Sequence, residues 1–398
     1  MDCEPLVNVR SDPLHESMLE GLMVVNSRNI LFTHCGKSMK YWPLEDIRQN
    51  LKNIERKDLH LFKEHGKEVP LRQLLCKSML RDGLDFDDVN PLTPISKIEW
   101  YEHRNLLLVA LRDSSIAFIK VFLPGGKFKY HRHRPLTFKM IKLMRTTDCM
   151  GIANIKVSNK LLLVGELNEQ FKAIDMRNGQ TVCTSAELNM EDWVQGICAA
   201  MDNTYLACSS IFGTLAIFKK RATSSSKHPT WEKAYYSQYY LDHKNGQGGI
   251  HCMTSTNQPD DTIIFIGGRK EAKFAKVSLH MFDVRSMTMI HTIQDDLSLG
   301  LFSSIVAFHK DDRYVIVTKN HDHKPGNSTL LVVYLRLTAA CAEGELAVVD
   351  GQRLQRIDTV GTGYREGSLC GGLRNGGSTI EILNCSRSKT LHYLEISN

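Results

Sequence analysis

The hydrophobic positions of this chain come in short alternating runs and seldom recur at helical spacing. In VQGICAAMDNTYLACSSIFGTLAIFKK, residues 194 to 220, three β-rich runs are separated by the turn signals M-D-N and I-F-G-T. Small or polar residues alternate there with bulky apolar ones, which predicts a strand-turn-strand-turn-strand meander. The same order recurs in LEGLMVVNSRNILFTHCGKSMKYWPL (19 to 44), with N-S-R-N and C-G-K-S as its turns. It recurs again in ISKIEWYEHRNLLLVALRDSSIAFIKVF (95 to 122) and in the stretches 149 to 182, 248 to 293 and 302 to 336. A weaker seventh copy, EGSLCGGLRNGGSTIEILNCSRSKTLHYLEI, stands last.

Each copy has an apolar face that it cannot bury alone, so neighbouring copies must stack, and seven of them fit blades set around one axis. The expected fold is all-β: a seven-bladed β-propeller spanning residues 1–398 as a single domain. Over nearly its whole length the chain resembles the WD-repeat β-propellers of eukaryotes, as a divergent member. The dipeptide Trp-Asp is replaced: the matching positions read Tyr41-Trp42, Ile174-Asp175, Ile217-Phe218, Phe282-Asp283 and Val333-Tyr334. The Gly-His that opens a blade in that family is missing, apart from Gly249-Ile250-His251. The resemblance implies a non-enzymatic scaffold, a subunit or adaptor of an intracellular multiprotein complex that binds one or more proteins.

One segment breaks the alternation. Between the first two copies, residues 45–91 carry Ile47, Leu51 and Ile54 on one helical face, and Leu71, Leu74, Leu75 and Met79 form a second stripe after Pro70. Two short helices on the rim are expected. They are either a decorated loop or a docking element for a partner's groove. A basic, Ser-rich loop at 219 to 229 places Arg221 ahead of Ser224 at a spacing that basic-directed kinases favour.

Composition narrows the classes. With 42% hydrophobic and 24% charged residues over 398 positions, the chain has ample material for a core. Its N-terminal stretch lacks the basic start and apolar run of a secretory signal, and no apolar run reaches membrane-helix length, so an intracellular chain without membrane insertion is expected. The 11 cysteines include no C-x-x-C pair, which argues against a zinc ribbon or a disulfide framework.

Catalytic signatures fail on spacing. Gly36-Lys37-Ser38 has Leu31 where a phosphate-binding loop needs its first glycine, and Gly361-Thr362-Gly363 misses the dinucleotide fingerprint by one residue. There is no G-x-S-x-G and no H-E-x-x-H. His321-Asp322-His323, with His309, has metal-like composition but reads as a solvated loop, and no cofactor or metal is expected.

Two features point to partners. The stretch KFKYHRHRPLTFKMIKLMR, 127 to 145, interleaves aromatic with basic residues and has no acid. Lys127, Lys129, Tyr130, Arg132 and Arg134 are its candidate contacts, for an acidic protein surface or, alternatively, for single-stranded RNA. The chain as a whole carries only +6. Asp175-Met176-Arg177 and Asp283-Val284-Arg285 follow equivalent strands and resemble the D-x-R box by which some WD-repeat substrate receptors dock on cullin-RING ubiquitin ligases. In that alternative the Asp caps the turn while Arg177 and Arg285 reach outward.

Overall fold

The computed structural model describes residues 7–11, 13–52, 66–82, 90–124, 130, 134–146, 151–190, 192–221, 230–238, 249–256, 258–269, 276–310, 313–322, 327–338, 348–360, 369–374, 379–385 and 391–397. The architecture is a seven-bladed β-propeller, and its blades fall into two compact units.

One unit comprises Cys3–Ile152 and Glu366–Asn398. Its first sheet is β2 (Gly21–Val25), β3 (Ile30–His34), β4 (Met39–Pro43) and the very short β5 (Lys67–Glu68). The second is β6 (Ile95–Tyr101), β7 (Leu106–Leu111), β8 (Ser115–Phe122) and β9 (Thr137–Arg145). The last sheet takes β25 (Leu369–Arg374), β26 (Thr379–Cys385) and β27 (Leu391–Ser397) from the far end of the chain, and its outer strand is β1 (Val7–Arg10). Ser11 continues that pairing, since its N–H donates to Leu391 O and its Oγ accepts from Leu391 N, both at 2.8 Å.

The other unit comprises Ala153–Arg365 with Met1–Asp2. It holds β10 (Ile152–Ser158) to β13 (Thr181–Thr184), with β11 (Leu161–Glu166) and β12 (Phe171–Asp175) between them. A second sheet contains β14 (Val194–Ala200), β15 (Tyr205–Ser210), β16 (Leu215–Lys220) and β17 (Trp231–Ser237). Two further blades share seven strands: β18 (Gly249–Ser255), β19 (Ile263–Arg269), β20 (Lys276–Asp283), β21 (Thr288–Lys310), β22 (Arg313–Asp322), β23 (Asn327–Thr338) and β24 (Val348–Val360). Strand β21 serves both, pairing with β20 through its first half and with β22 through its second.

The burial pattern explains the sequence pattern. Second strands such as β3, β7, β11 and β15 are buried along their whole length, because each is covered on both faces, and they read as continuous apolar or small runs. The hydrophobic clusters lie between adjacent sheets, as where Phe32 and Tyr41 meet Leu107 and Ile119, or Leu163 and Phe171 meet Leu206 and Phe218. Each blade therefore stabilises its neighbour.

Backbone details repeat with the blades. Asn29, Asn105, Asn159 and Asn203 all take a positive φ in the turn between the first two strands, a conformation Asn adopts more readily than most residues. In five blades a residue within one position of the end of the third strand donates to the residue preceding the second: Leu44 to Asn29, Val121 to Asn105, Met176 to Lys160, Lys220 to Thr204 and Val284 to Thr262, all at 2.7–3.0 Å. A bulge one or two residues into the first strand recurs at Ile95/Lys97, Val194/Gly196, Ile250/Cys252 and Phe302/Ser304.

Among the described residues the insertion holds two helices, α1 (Leu44–Lys52) and α2 (Leu71–Asp82). Glu45 and Asp46 in the first turn of α1 complement its positive end. Leu44 and Ile47 pack with Leu14, Leu19 and Trp42, while Leu71 and Leu75 join the cluster around Phe32. Ile47 of the first stripe and Leu71, Leu74, Leu75 and Met79 of the second are thus used within the unit, while the side chains of Leu51 and Ile54 lie outside the described residues.

Helix α1 also carries the principal buried ion pair. Arg48 Nε donates to Glu381 Oε1 at 2.6 Å and Nη2 donates to Oε2, while Nη2 also reaches Asn26 Oδ1 at 2.6 Å. Burial alone would push the Arg48 guanidinium down, but the hydrogen bonds and charge of Glu381 outweigh it and hold the pKa above its ordinary value. The side chains are 8% and 0% exposed. Arg48→Ala removes the two-point partner of a buried carboxylate and leaves it Tyr393 Oη at 3.1 Å and Arg374 Nη1 at 3.4 Å. The unfolding free energy in urea should therefore fall by about 3 kcal/mol, and the double variant R48M/E381L should regain most of it. An unchanged midpoint in Arg48→Ala would contradict this assignment.

Candidate functional site

The basic stretch divides on folding. Lys127, Lys129 and Arg132 lie outside the described residues, as do His131 and His133. Tyr130 is fully buried: its ring meets Tyr41 edge-on at 5.5 Å, its N–H donates to Arg28 O at 2.7 Å, and its carbonyl accepts from Asn29 Nδ2 at 2.9 Å. Burial, with Tyr41 beside it, pushes its phenol upward. This corrects the expectation that Tyr130 is a surface contact: the ring is core. Phe138 likewise packs inward against Tyr41 at 5.5 Å. The aromatic half of an RNA platform is therefore turned away from solvent among the described residues.

The basic half is outside. Arg134 is exposed, and beyond it the chain enters β9, the outer strand of its sheet, paired on one side with β8. Met140 faces the core while Lys139, Ile141, Lys142 and Arg145 are exposed. A positive strand edge of this kind attracts acidic segments, and lysines there also discourage unwanted strand pairing.

The two D-x-R turns share a cap and differ in their arginines. Asp175, buried at the end of β12, accepts from Arg177 N at 2.9 Å, as the sequence predicted. The Arg177 side chain folds back on the same carboxylate, with Nε at 3.0 Å from Oδ1 and Nη2 at 2.5 Å from Oδ2. Its guanidinium is bound to its own turn, half exposed, where an outward reach had been expected. In the second turn Asp283 accepts from Arg285 N at 3.3 Å and Ser286 N at 3.0 Å. Burial alone would raise the Asp283 carboxyl, and bonds from Ser286, Thr262 and Arg285 outweigh it and hold the pKa below the usual value. Arg285 is exposed.

Two histidine clusters escaped the sequence reading, and His309, read there with a solvated loop, belongs to a third. His15 shares Nε2 with Thr33 Oγ1 at 2.8 Å and lies edge-on to Trp42 at 6.0 Å, joining the entry segment to the second and third strands of its sheet. His280 engages Ser278 Oγ at 2.8 Å through Nε2 and Thr292 Oγ1 at 3.0 Å through Nδ1, so both nitrogens are used within the sheet. His309 stacks on Tyr314 at 4.0 Å with Nδ1 3.0 Å from Asp261 Oδ2. Tyr314 Oη and Thr256 Oγ1 donate to the same carboxylate, at 3.2 and 2.8 Å. The signal that could have found them is a polar residue at a position the alternation assigns to the core.

Among the described residues no three His, Cys, Asp or Glu side chains gather as metal ligands, and the side chains of His321, Asp322 and His323 lie outside them. Burial pushes the Cys183 and Cys252 thiols up to about 12 and that of Cys198 to about 11, away from nucleophilic reactivity.

No protein family model matches the chain, and no curated protein sequence matches it. Solved structures do. A chain from "Crystal Structure of Mitotic Checkpoint Complex" superposes with a TM-score of 0.58, covering 100% of this chain and 93% of that one at 11% identity. The likeness is one of fold.

Two imidazoles give a pH signature. His15 is held at about 4 by burial and then Lys40, and His34 at about 3 by burial and then Lys97, against 6.5 when free. Both are neutral in the folded chain where the unfolded chain binds protons. Their contribution to stability is complete above pH 6.5 and is lost as pH falls toward 4 and 3, with a slope of up to about 1.4 kcal/mol per unit for each. Replacing His15 by Gln should flatten the urea-derived stability curve between pH 6.5 and 4.5; an identical slope would rule the assignment out.

Proposed function

We propose that the protein is a non-enzymatic interaction scaffold, a WD-repeat-like subunit or adaptor of an intracellular multiprotein complex. The observation that carries this reading is the disposition of its polar groups. Side chains with chemical potential, such as His15, His280 and Glu381, are committed to partners within the sheets, whereas Arg134, Lys139, Lys142 and Arg285 stand on outer strands and turns. A propeller presents such edges and turns rigidly, so a partner binds without paying to order them. The solved chain of similar fold belongs to a protein complex, which agrees with this reading.

Within it, the charged edge of β9 is the contact for an acidic protein partner. Opposite charges at such an edge raise the association rate and set orientation, and they are screened by salt.

The test is purification of the tagged full chain from cells at physiological salt, with stoichiometry read by mass spectrometry and size by gel filtration of fresh lysate. The expected result is a stoichiometric protein partner and elution well above the monomer, with recovery of the partner reduced severalfold in the variant R134E/K139E/K142E. Elution as a monomer without a stoichiometric companion would overturn the scaffold reading.

A further inference from the structure

In the unit formed by Ala153–Arg365, two aromatic side chains are partly exposed at one end of the β14–β17 sheet. Trp193 immediately precedes β14, and Phe212 lies in the turn between β15 and β16; they are 42% and 38% exposed. Ile211 N donates to Trp193 O at 3.1 Å, so the two segments run side by side.

Both segments are wedged in place by close backbone approaches. A Cβ on Gly165 would stand 2.0 Å from Val194 O, and one on Gly249 would stand 1.9 Å from Ile211 O, so only glycine admits these neighbours. Asp192 holds φ at 93°, a conformation that L side chains rarely adopt, and its Oδ1 accepts from Trp193 N at 2.7 Å. Backbone strain of this kind persists where surrounding structure fixes it, and here it sets a carboxylate on the backbone N–H of an exposed tryptophan.

Among the described residues the exposed charge at this end of the sheet is acidic, opposite in sign to that of the chain. Glu169 and Glu187 are exposed in the turns at this end, with Asp192 partly so, while Lys172 is taken by the buried Glu166 at 2.9 Å. Aromatic faces rimmed by carboxylates match one side chain best. A guanidinium offers a flat cation to the indole and paired N–H donors to the carboxylate.

We propose that Trp193, Phe212 and Asp192 form a docking site for an arginine-bearing extended segment of a protein partner. The arginine lies over the indole and donates to Asp192 Oδ2, and apolar residues flanking it cover Phe212. The inference rests on the scaffold reading and adds to it a second surface of opposite charge preference to β9.

The test follows the indole N–H resonance of Trp193, assigned with Trp193→Phe, in the full-length ¹⁵N-labelled chain. The probe is the peptide acetyl-Leu-Arg-Leu-Arg-Leu-amide, compared with its citrulline and glutamate counterparts. The expected result is a saturable shift of the Trp193 signal with the arginine peptide, and affinity at least tenfold weaker for the citrulline peptide, for Asp192→Asn and for Phe212→Ala. The glutamate peptide should not bind. No shift with the arginine peptide, or equal binding of the citrulline or glutamate peptide, would overturn the proposal. If peptide binding fails while the chain still purifies with a stoichiometric partner, this site is wrong and the scaffold reading stands; a monomer in fresh lysate removes the scaffold reading itself.

Discussion

The pairing of Val7–Arg10 with Leu391–Ser397 is the constraint on which the rest of its unit depends. A blade short of its outer strand would leave β27 with an open row of backbone groups and a half-covered face. The first strand of the chain supplies that row, and Ser11 extends it. Helix α1 then fastens the same junction from a third direction, because Arg48 reaches a carboxylate 333 positions away in β26. Loop-closure entropy grows only logarithmically with chain length, so a contact this distant costs little more than one of moderate range. It also couples the insertion, the first blade and the last into one cooperative element.

That rigidity decides what the surface can be used for. Strands buried on both faces leave the outer strands, the turns and the sheet ends as the places where sequence is free to vary. In this chain those places carry distinct chemistry. Lysines line β9, an arginine stands clear of the Asp283 turn, and an acidic, aromatic corner marks the start of β14. Unlike surfaces carried on well-packed sheets agree with the proposed scaffold reading.

Much of the frame was legible in the sequence because its cause is local. Continuous apolar runs such as LLLVAL and LLLVGE follow directly from burial on both faces, and the helical stripe after Pro70 became α2. What was not legible depends on distance or on a single side chain's choice. β1 carries no mark that it pairs with the other end of the chain, and β5 has only two residues. Tyr130 looks like a member of a basic surface strip until Tyr41 and the Asn29 turn draw it into the core. Arg177 has the spacing of an outward contact, but its own Asp175 lies nearer than any partner. The same alternation that revealed the strands hid Glu381, since one buried charge in an apolar strand reads as a lapse until its counterpart, Arg48 on α1, is found.

The most direct test of the account is hydrogen exchange, amide by amide, on the full-length chain. A four-residue strand at a sheet edge frays readily, whereas one that completes a sheet shares its protection. The account predicts that the hydrogen-bonded amides of Val7–Arg10 exchange within about tenfold of those in β26. Exchange of those amides at the rate of an unstructured peptide, with β26 still protected, would contradict it.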